Sequence, residues 1–145
     1  MTPVFTYGTL EIPEVMEAVT GQVWASAEAW AKGFAKFLLK GRIYPGMTAV
    51  QGSICSGRVY YHIDRRTLEV LDAFEDEVYT RESIEVEVAE GRSLQAYAYL
   101  IPPDRRECLT STSWQPDEFK SKHLVHYLEA CKTFHRQLMH GSHPI

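Results

Sequence analysis

Two segments of strict alternation in the second half of the chain constrain its fold more than any other feature. Aliphatic and polar residues alternate over Glu82–Val88, and apolar residues alternate with glutamine and tyrosine over Leu94–Leu100. Successive side chains of a strand point to opposite faces, so each segment reads as a strand with one buried face. Because Glu90-Gly91-Arg92 forms a turn between them, the pattern predicts a β-hairpin, which Pro102-Pro103 ends.

The remaining patterns predict further strands and helices. In chain order they are a strand at Pro3–Tyr7, a helix at Ile12–Val19 ending at Gly21, a loop at Gly41–Met47, a strand at Gly57–Ile63, a helix from the N-cap Asp64 to about Asp76, and a long amphipathic helix at Asp117–His140. A strand-rich chain with two short helices and one C-terminal helix predicts the α+β class.

Residues 23–39 allow two interpretations. Alanines alternate with other residues from Ala25 to Ala31, as in a strand, but the alanine content would also suit a helix. The nearby aromatic residues and Gly33 favour two short strands with an interruption between them.

Composition excludes several classes of protein. The 145 residues suit one domain, and 15 basic against 19 acidic residues give a net charge of −4. Nucleic-acid binding needs a clustered basic surface, and a membrane span needs an apolar run of ~20 residues; neither pattern occurs. Three cysteines without CxxC spacing, and no signal-peptide pattern at the N-terminus, predict a cytoplasmic protein with reduced thiols.

Glu75 is the strongest candidate for chemistry. It follows Leu68 by seven residues and Leu71 by four, so a continuing helix would place it on the apolar stripe. Burial, the negative end of the helix dipole and neighbouring carboxylates would all raise its pKa, as a group that accepts and donates protons requires. The neighbouring carboxylates are Asp72, Asp76 and Glu77. Alternatively, the helix end frays and Glu75 turns to solvent or pairs with Arg81.

A second candidate is the segment that we call the glycine turn, Tyr7-Gly8-Thr9-Leu10. A glycine after a strand lets the chain bend sharply, and successive backbone N–H groups can then converge on a carboxylate or a developing oxyanion. An ordinary turn is the alternative.

The sequence offers weak support for a metal and none for an organic cofactor. His123 and His126 lie three residues apart on the predicted long helix, but no third ligand stands at a supporting spacing. A solvated polar face therefore explains them better, and we predict no metal site. Glycine-rich loops of the dinucleotide- and phosphate-binding types are absent from the sequence.

Taken together, the motifs resemble the γ-glutamylcyclotransferase-like family. A strand leads into YGTL at residues 7–10, YPGM follows at 44–47, and VYYHIDRRTLEVLDAFED at 59–76 joins a strand to a helix. VYTRESIEVEV at 78–88 and AYAYL at 96–100 complete the order. Each motif is short, but their common order is specific.

The resemblance covers about residues 3–101 and implies a small mixed β-barrel with flanking helices. We accordingly expect a barrel domain at 1–115 and a C-terminal helical extension at 116–145 packed on the same domain. The extension resembles that of avirulence-induced plant-type members. The sequence does not indicate an oligomeric state.

The resemblance also implies a reaction. A γ-glutamyl substrate cyclises to 5-oxoproline and releases an amine or amino acid, with Glu75 as general acid and base. Tyr7, Gly8, Thr9 and Leu10 would hold the glutamyl group. The substrate's own α-amine is the nucleophile, so the chemistry requires no metal or organic cofactor.

Asp76 departs from the family pattern, in which glycine often follows the glutamate. An acidic neighbour would shift the pKa of Glu75 or narrow the pocket, so a non-catalytic module that binds a small molecule or protein on the same fold is the alternative. The YPGM motif, Tyr79, Trp114 and the C-terminal helix are expected to shape the leaving-group side. The particular γ-glutamyl substrate is left open.

Overall fold

A computed structural model describes residues 1–141, which contain five β-strands and three α-helices. The strands are β1 (Thr2–Thr6), β2 (Ser26–Leu38), β3 (Pro45–Ile63), β4 (Thr80–Glu87) and β5 (Ser93–Leu100). The helices are α1 (Pro13–Thr20), α2 (Arg65–Phe74) and α3 (Pro116–Gly141). The predicted α+β class is confirmed. Among these helices none is both long and apolar enough to cross a bilayer.

The strands close into a barrel in the order β1–β3–β2–β4–β5. β5 closes it by pairing in parallel with β1 at Val4–Tyr97 and with β3 at Met47–Leu100. Closure satisfies backbone groups that an open sheet would leave at its edges. The predicted hairpin is confirmed as β4 and β5, and so is the mixed barrel implied by the family resemblance.

Alternation along the strands divides the core in two. On β1, Phe5 points into the barrel interior, whereas Val4 belongs to the layer between the barrel and the helices. The interior also holds Ala29, Ala31, Ala96 and Ala98, each almost fully buried. Small side chains fit inside a narrow barrel, which explains why alanine alternates in two separate strands.

The predicted interruption of residues 23–39 is wrong, because β2 runs continuously over Ser26–Leu38. Its pairing with β3 shifts register between Lys32 and Phe34, and Gly33 between them has a φ of +83°. A glycine in this conformation forms a bulge that bends the strand without ending it.

The predicted loop at Gly41–Met47 is also too long. Its second half, Pro45–Met47, already belongs to β3, which begins twelve residues before the predicted strand at Gly57. β2 and β3 therefore form a long hairpin that pairs from Ser26–Tyr60 to Leu38–Pro45. As a result, the YPGM motif enters the sheet between the end of β2, which pairs with Pro45–Met47, and the end of β5, where Leu100 pairs with Met47.

The helices follow the sequence patterns closely. Gly21 caps the C-terminus of α1 as predicted, and the Asp64 carboxylate accepts a hydrogen bond from the Thr67 amide at 2.7 Å, which confirms the predicted N-cap of α2. α3 begins at Pro116 and packs against α1. The division into a domain at 1–115 and an extension at 116–145 stays a prediction, and residues 142–145 lie outside the described part.

Candidate active site

A cavity of about 150 Å³ lies where β1 passes into the glycine turn and α2 ends. It is lined by all five residues that the sequence singled out, namely Tyr7, Gly8, Thr9, Leu10 and Glu75. An engineered cavity of roughly this size admits benzene, so the space suits one small chemical group. The fold thus brings together two motifs that lie more than sixty residues apart.

Glu75 reaches the cavity in a different way from that predicted. α2 ends at Phe74, and Glu75 is its C-cap with extended backbone angles (φ −70°, ψ 145°). The prediction that Glu75 continues the helical stripe is therefore wrong, because the chain leaves the helix at this residue. Arg81, its alternative partner, instead places Nε 3.5 Å from Oδ1 of Asp72.

The surroundings of Glu75 make its carboxyl a weak acid. Burial, followed by the negative charges of Asp76 and Asp72, raises the pKa of Glu75 from its ordinary value of 4.5 to about 8. Near neutral pH the group can therefore exist in either protonation state. Such a carboxyl can accept a proton from one atom and return it to another.

Asp76, which directly follows Glu75, is held by three hydrogen bonds. Its carboxylate accepts from the Tyr44 hydroxyl at 2.8 Å, Nε of Arg42 at 3.2 Å and the Val78 amide at 3.2 Å. Burial alone would raise the pKa of Asp76, but these donors together lower it. The negative charge next to Glu75 is consequently fixed in place.

The glycine turn packs directly against the start of β3. A methyl group on Gly8 would lie 2.9 Å from Cδ of Pro45, so only glycine fits without displacement. A single 3₁₀ turn over Thr9–Glu11 follows. The first backbone N–H groups of a helical turn have no hydrogen-bond acceptor within the turn. The N–H groups of Thr9 and Leu10 can therefore donate to an acceptor on a bound molecule.

Lys36 fixes the glycine turn to the barrel, a contact that sequence reasoning missed. Its Nζ donates hydrogen bonds to the carbonyl oxygens of Tyr7 at 2.9 Å and Ser56 at 3.2 Å. The same Nζ lies 3.6 Å from Oε2 of Glu11. Lys36 stands on β2, far away in sequence, and no motif marks it.

Five tyrosines line the cavity: Tyr7, Tyr44, Tyr79, Tyr99 and Tyr127. The Tyr7 hydroxyl donates to the Tyr99 carbonyl at 2.6 Å, and the Tyr79 hydroxyl donates to the Pro45 carbonyl at 2.5 Å. Burial is the main reason that the pKa of each phenol is raised, so the hydroxyls stay neutral. These bonds fasten the YGTL motif to β5 and Tyr79 to the YPGM motif.

The expected leaving-group residues are only partly found at the cavity. Tyr79 and Pro45 of the YPGM motif line it, and α3 contributes Tyr127. Trp114 lies elsewhere: it is buried, its indole donates to the Ile43 carbonyl at 2.9 Å, and it lines a separate surface pocket. The prediction that Trp114 shapes this cavity is therefore wrong.

The helical histidines do not form part of a ligand cluster. The ring of His123 lies 5.8 Å from that of Phe119, measured between ring centroids. Among residues 1–141, no group of three or more histidine, cysteine, aspartate or glutamate side chains is arranged to hold a metal ion.

Comparison with known proteins relates this geometry to a family. A family model described as gamma-glutamyl cyclotransferase, AIG2-like, matches residues 4–116. AIG2-like protein D of Arabidopsis thaliana is 31% identical over 140 residues, covering 95% of this chain and 91% of the relative. AIG2-like protein C of the same plant is 30% identical over 131 residues, covering 90% and 76%.

Solved structures share the fold. A solution structure of an Arabidopsis thaliana protein matches with a TM-score of 0.67 at 24% identity, covering 99% of this chain and 95% of that one. A structure titled gamma-glutamyl cyclotransferase matches with a TM-score of 0.63 at 17% identity, covering 90% and 86%. With the family model matched along most of the barrel, the chain belongs to the gamma-glutamyl cyclotransferase, AIG2-like family.

Proposed function

We propose that the protein is a γ-glutamyl cyclotransferase that converts a γ-glutamyl amide or γ-glutamyl amino acid to 5-oxoproline. The observation that carries the proposal is the carboxyl of Glu75, which lines the same cavity as the glycine turn and whose pKa of about 8 lets it change protonation there. Membership of the family supports the same reaction class.

Each chemical step falls to a named part of the site. Ionised Glu75 takes a proton from the α-ammonium of the substrate, and the freed amine attacks the γ-carbonyl carbon to form a five-membered ring. Backbone amides of the glycine turn stabilise the oxyanion. The bond to the leaving nitrogen then breaks as Glu75 returns the proton to it, and the re-ionised Glu75 takes the second proton from the ring nitrogen and passes it to the released amine. The products are 5-oxoproline and an amine or amino acid.

Enclosure and preorganisation supply the remainder of the rate. The substrate must fold back so that its amine reaches its own γ-carbonyl, and a cavity for one small group favours such a compact conformation. Lys36 and the buried tyrosine hydroxyls hold the walls in place, so little reorganisation is needed during the reaction.

The decisive test compares Glu75→Gln with a matched neighbour. Formation of 5-oxoproline is measured with γ-glutamyl amino acids, γ-glutamyl-ε-lysine and glutathione. The wild type should turn over at least one of them, and Glu75→Gln should lose about a hundredfold or more in kcat, as expected for a general acid and base. Glu77→Gln, a change to an exposed carboxylate two residues away, should keep wild-type turnover.

Calorimetry on the same compounds separates the enzyme from its alternative. Binding without turnover by the wild type would favour a non-catalytic binding module. Turnover that survives unchanged in Glu75→Gln would refute the assigned role of Glu75. Glu75→Gln that binds substrate but does not convert it is the expected result.

A further inference from the structure

The C-terminal helix contributes a side chain to the cavity, although the family model ends where this helix begins. The family match covers residues 4–116, and α3 spans Pro116–Gly141. Tyr127 projects from α3 into the lining of the cavity that contains Glu75. The helix is therefore more than an external support for the barrel.

The Tyr127 hydroxyl meets the glycine turn. It lies 3.1 Å from Oγ1 of Thr9, a residue that is itself buried. Thr9 is the second residue after Tyr7 and begins the 3₁₀ turn, in which the Glu11 amide donates to the Gly8 carbonyl at 3.0 Å and the Ile12 amide donates to the Thr9 carbonyl at 3.1 Å. A hydrogen bond at this point restrains the turn from α3, in addition to the restraint that Lys36 exerts from β2.

The Tyr127 ring is held equally firmly. It packs edge-on against Phe119 of α3, with centroids 5.1 Å apart, and against Phe74 of α2 at 6.5 Å. Aromatic pairs in this arrangement fix ring orientation as well as burying apolar area. Since Phe74 directly precedes Glu75, one side chain spans both halves of the site.

We propose that Tyr127 is a positioning residue that holds the glycine turn through Thr9 and closes one side of the cavity, so that α3 limits the size of the leaving group. The limit on the leaving group rests on the proposed cyclotransferase function. The hold on the turn does not, because it is a property of the folded protein alone.

Hydrogen exchange tests the hold on the turn. In Tyr127→Phe, which keeps the ring and loses the hydroxyl, the amides of Glu11 and Ile12 should exchange about five to ten times faster than in the wild type, the effect of one lost hydrogen bond. Thr9→Val should have the same effect, and the double variant should add little to either. Tyr61→Phe, on β3 and outside the cavity, should leave these rates unchanged. Unchanged exchange in Tyr127→Phe would overturn the positioning role.

A pair of synthetic amides tests the size limit. We expect the wild type to prefer γ-glutamyl methylamide over γ-glutamyl benzylamide, and Tyr127→Ala to shift the ratio of their kcat/KM values toward the benzylamide by about tenfold or more, the effect of opening an apolar wall. Tyr127→Leu is the second variant if the alanine variant folds poorly. Leu124→Ala removes another α3 side chain packed on the same apolar layer but outside the cavity, and it should leave the ratio unchanged.

The two proposals fail in different ways. If the wild type converts neither these amides nor any of the γ-glutamyl compounds named above, the cyclotransferase function fails, and calorimetric affinities for the two amides together with the exchange rates still decide the role of Tyr127. If the wild type converts the two amides but the Tyr127 variants prefer the methylamide as strongly as the wild type does, in kcat/KM or in binding affinity, the size limit is overturned while the cyclotransferase function stands.

Discussion

Glu75 and Asp76 are adjacent carboxyls with opposite pKa shifts. Burial dominates at Glu75 and raises its pKa, whereas donors from Tyr44, Val78 and Arg42 outweigh burial at Asp76 and lower its pKa. The ionised Asp76 is in turn the largest charge contribution to the shift of Glu75. Asp76 therefore supports the behaviour that the proposed chemistry needs.

The raised pKa of Glu75 predicts how stability depends on pH. Between its ordinary value of 4.5 and about 8, the folded protein keeps a proton on Glu75 that the unfolded chain has lost, so this residue increasingly destabilises the fold as pH rises. Glu75→Gln has no such proton to lose. Its melting temperature, relative to that of the wild type, should rise steadily across this window. The control Glu77→Gln changes an exposed carboxylate and should show no such trend. If the melting temperatures of Glu75→Gln and the wild type changed in parallel with pH, the raised pKa of Glu75 would be contradicted.

Asp76→Asn should lower the pKa of Glu75. Asparagine keeps an oxygen for the Tyr44 hydroxyl but removes the neighbouring negative charge, an effect of about one pH unit at this range. The pKa can be read from the ¹³C shift of the Glu75 carboxyl carbon during a pH titration, without any assay of activity. A titration midpoint that stays in place, as expected for the control Glu77→Gln, would show that Asp76 does not act on Glu75.

At the scale of elements, the close contact between the glycine turn and β3 explains why YGTL and YPGM occur together. The turn lies against Pro45, and the Pro45 carbonyl accepts the Tyr79 hydroxyl. Pro45, at the start of β3, thereby sets the position of the glycine turn and that of Tyr79, which lies five residues after the end of α2. YGTL and YPGM thus supply the two sides of one contact, between Gly8 and Pro45.

This contact predicts a non-additive pair of substitutions. Gly8→Ala forces a methyl group against the Pro45 ring and should lower the free energy of unfolding by about 1–3 kcal/mol, the usual cost of overpacking. Replacing Pro45 with alanine removes the obstructing ring atoms, so Gly8→Ala should cost clearly less in that background. Urea unfolding of the two single variants and the double variant measures the coupling. Fully additive costs would show that the ring does not constrain the turn.

Periodicity predicted those elements whose pattern reflects local burial, namely the β4–β5 hairpin, α1 and the N-cap at Asp64. It failed where a glycine is tolerated inside a strand, at Gly33, and where a turn dipeptide opens a strand, at Pro45. In both places pairing with a distant strand outweighs the local preference. Lys36 and Tyr127 were missed for a related reason, since their roles depend on contacts between elements far apart in sequence.

At the scale of the molecule, the barrel interior and the helical layer are separate cores that share β1. The interior is formed by the strands and by Tyr7 and Val88, which directly follow β1 and β4, whereas the helical layer includes Trp114 and, from α3, Phe119 and Cys131, each buried to about 95% or more. The cavity lies where these two cores meet, at the end of β1. Both cores must consequently be intact for the site to form.

Truncation after residue 115 tests this dependence on α3. Loss of the helix removes Phe119 and Cys131 and exposes the apolar face of α1 that α3 covers. A buried phenylalanine alone is worth roughly 3–5 kcal/mol, so the free energy of unfolding should fall by at least about 3 kcal/mol. The truncated chain should also bind a hydrophobic dye that the full chain does not bind. Val125→Ala, an exposed position of α3, serves as the control and should change neither property. A truncated barrel with full stability and no dye binding would mean that the barrel is independent of α3, and that the cavity can form without Tyr127.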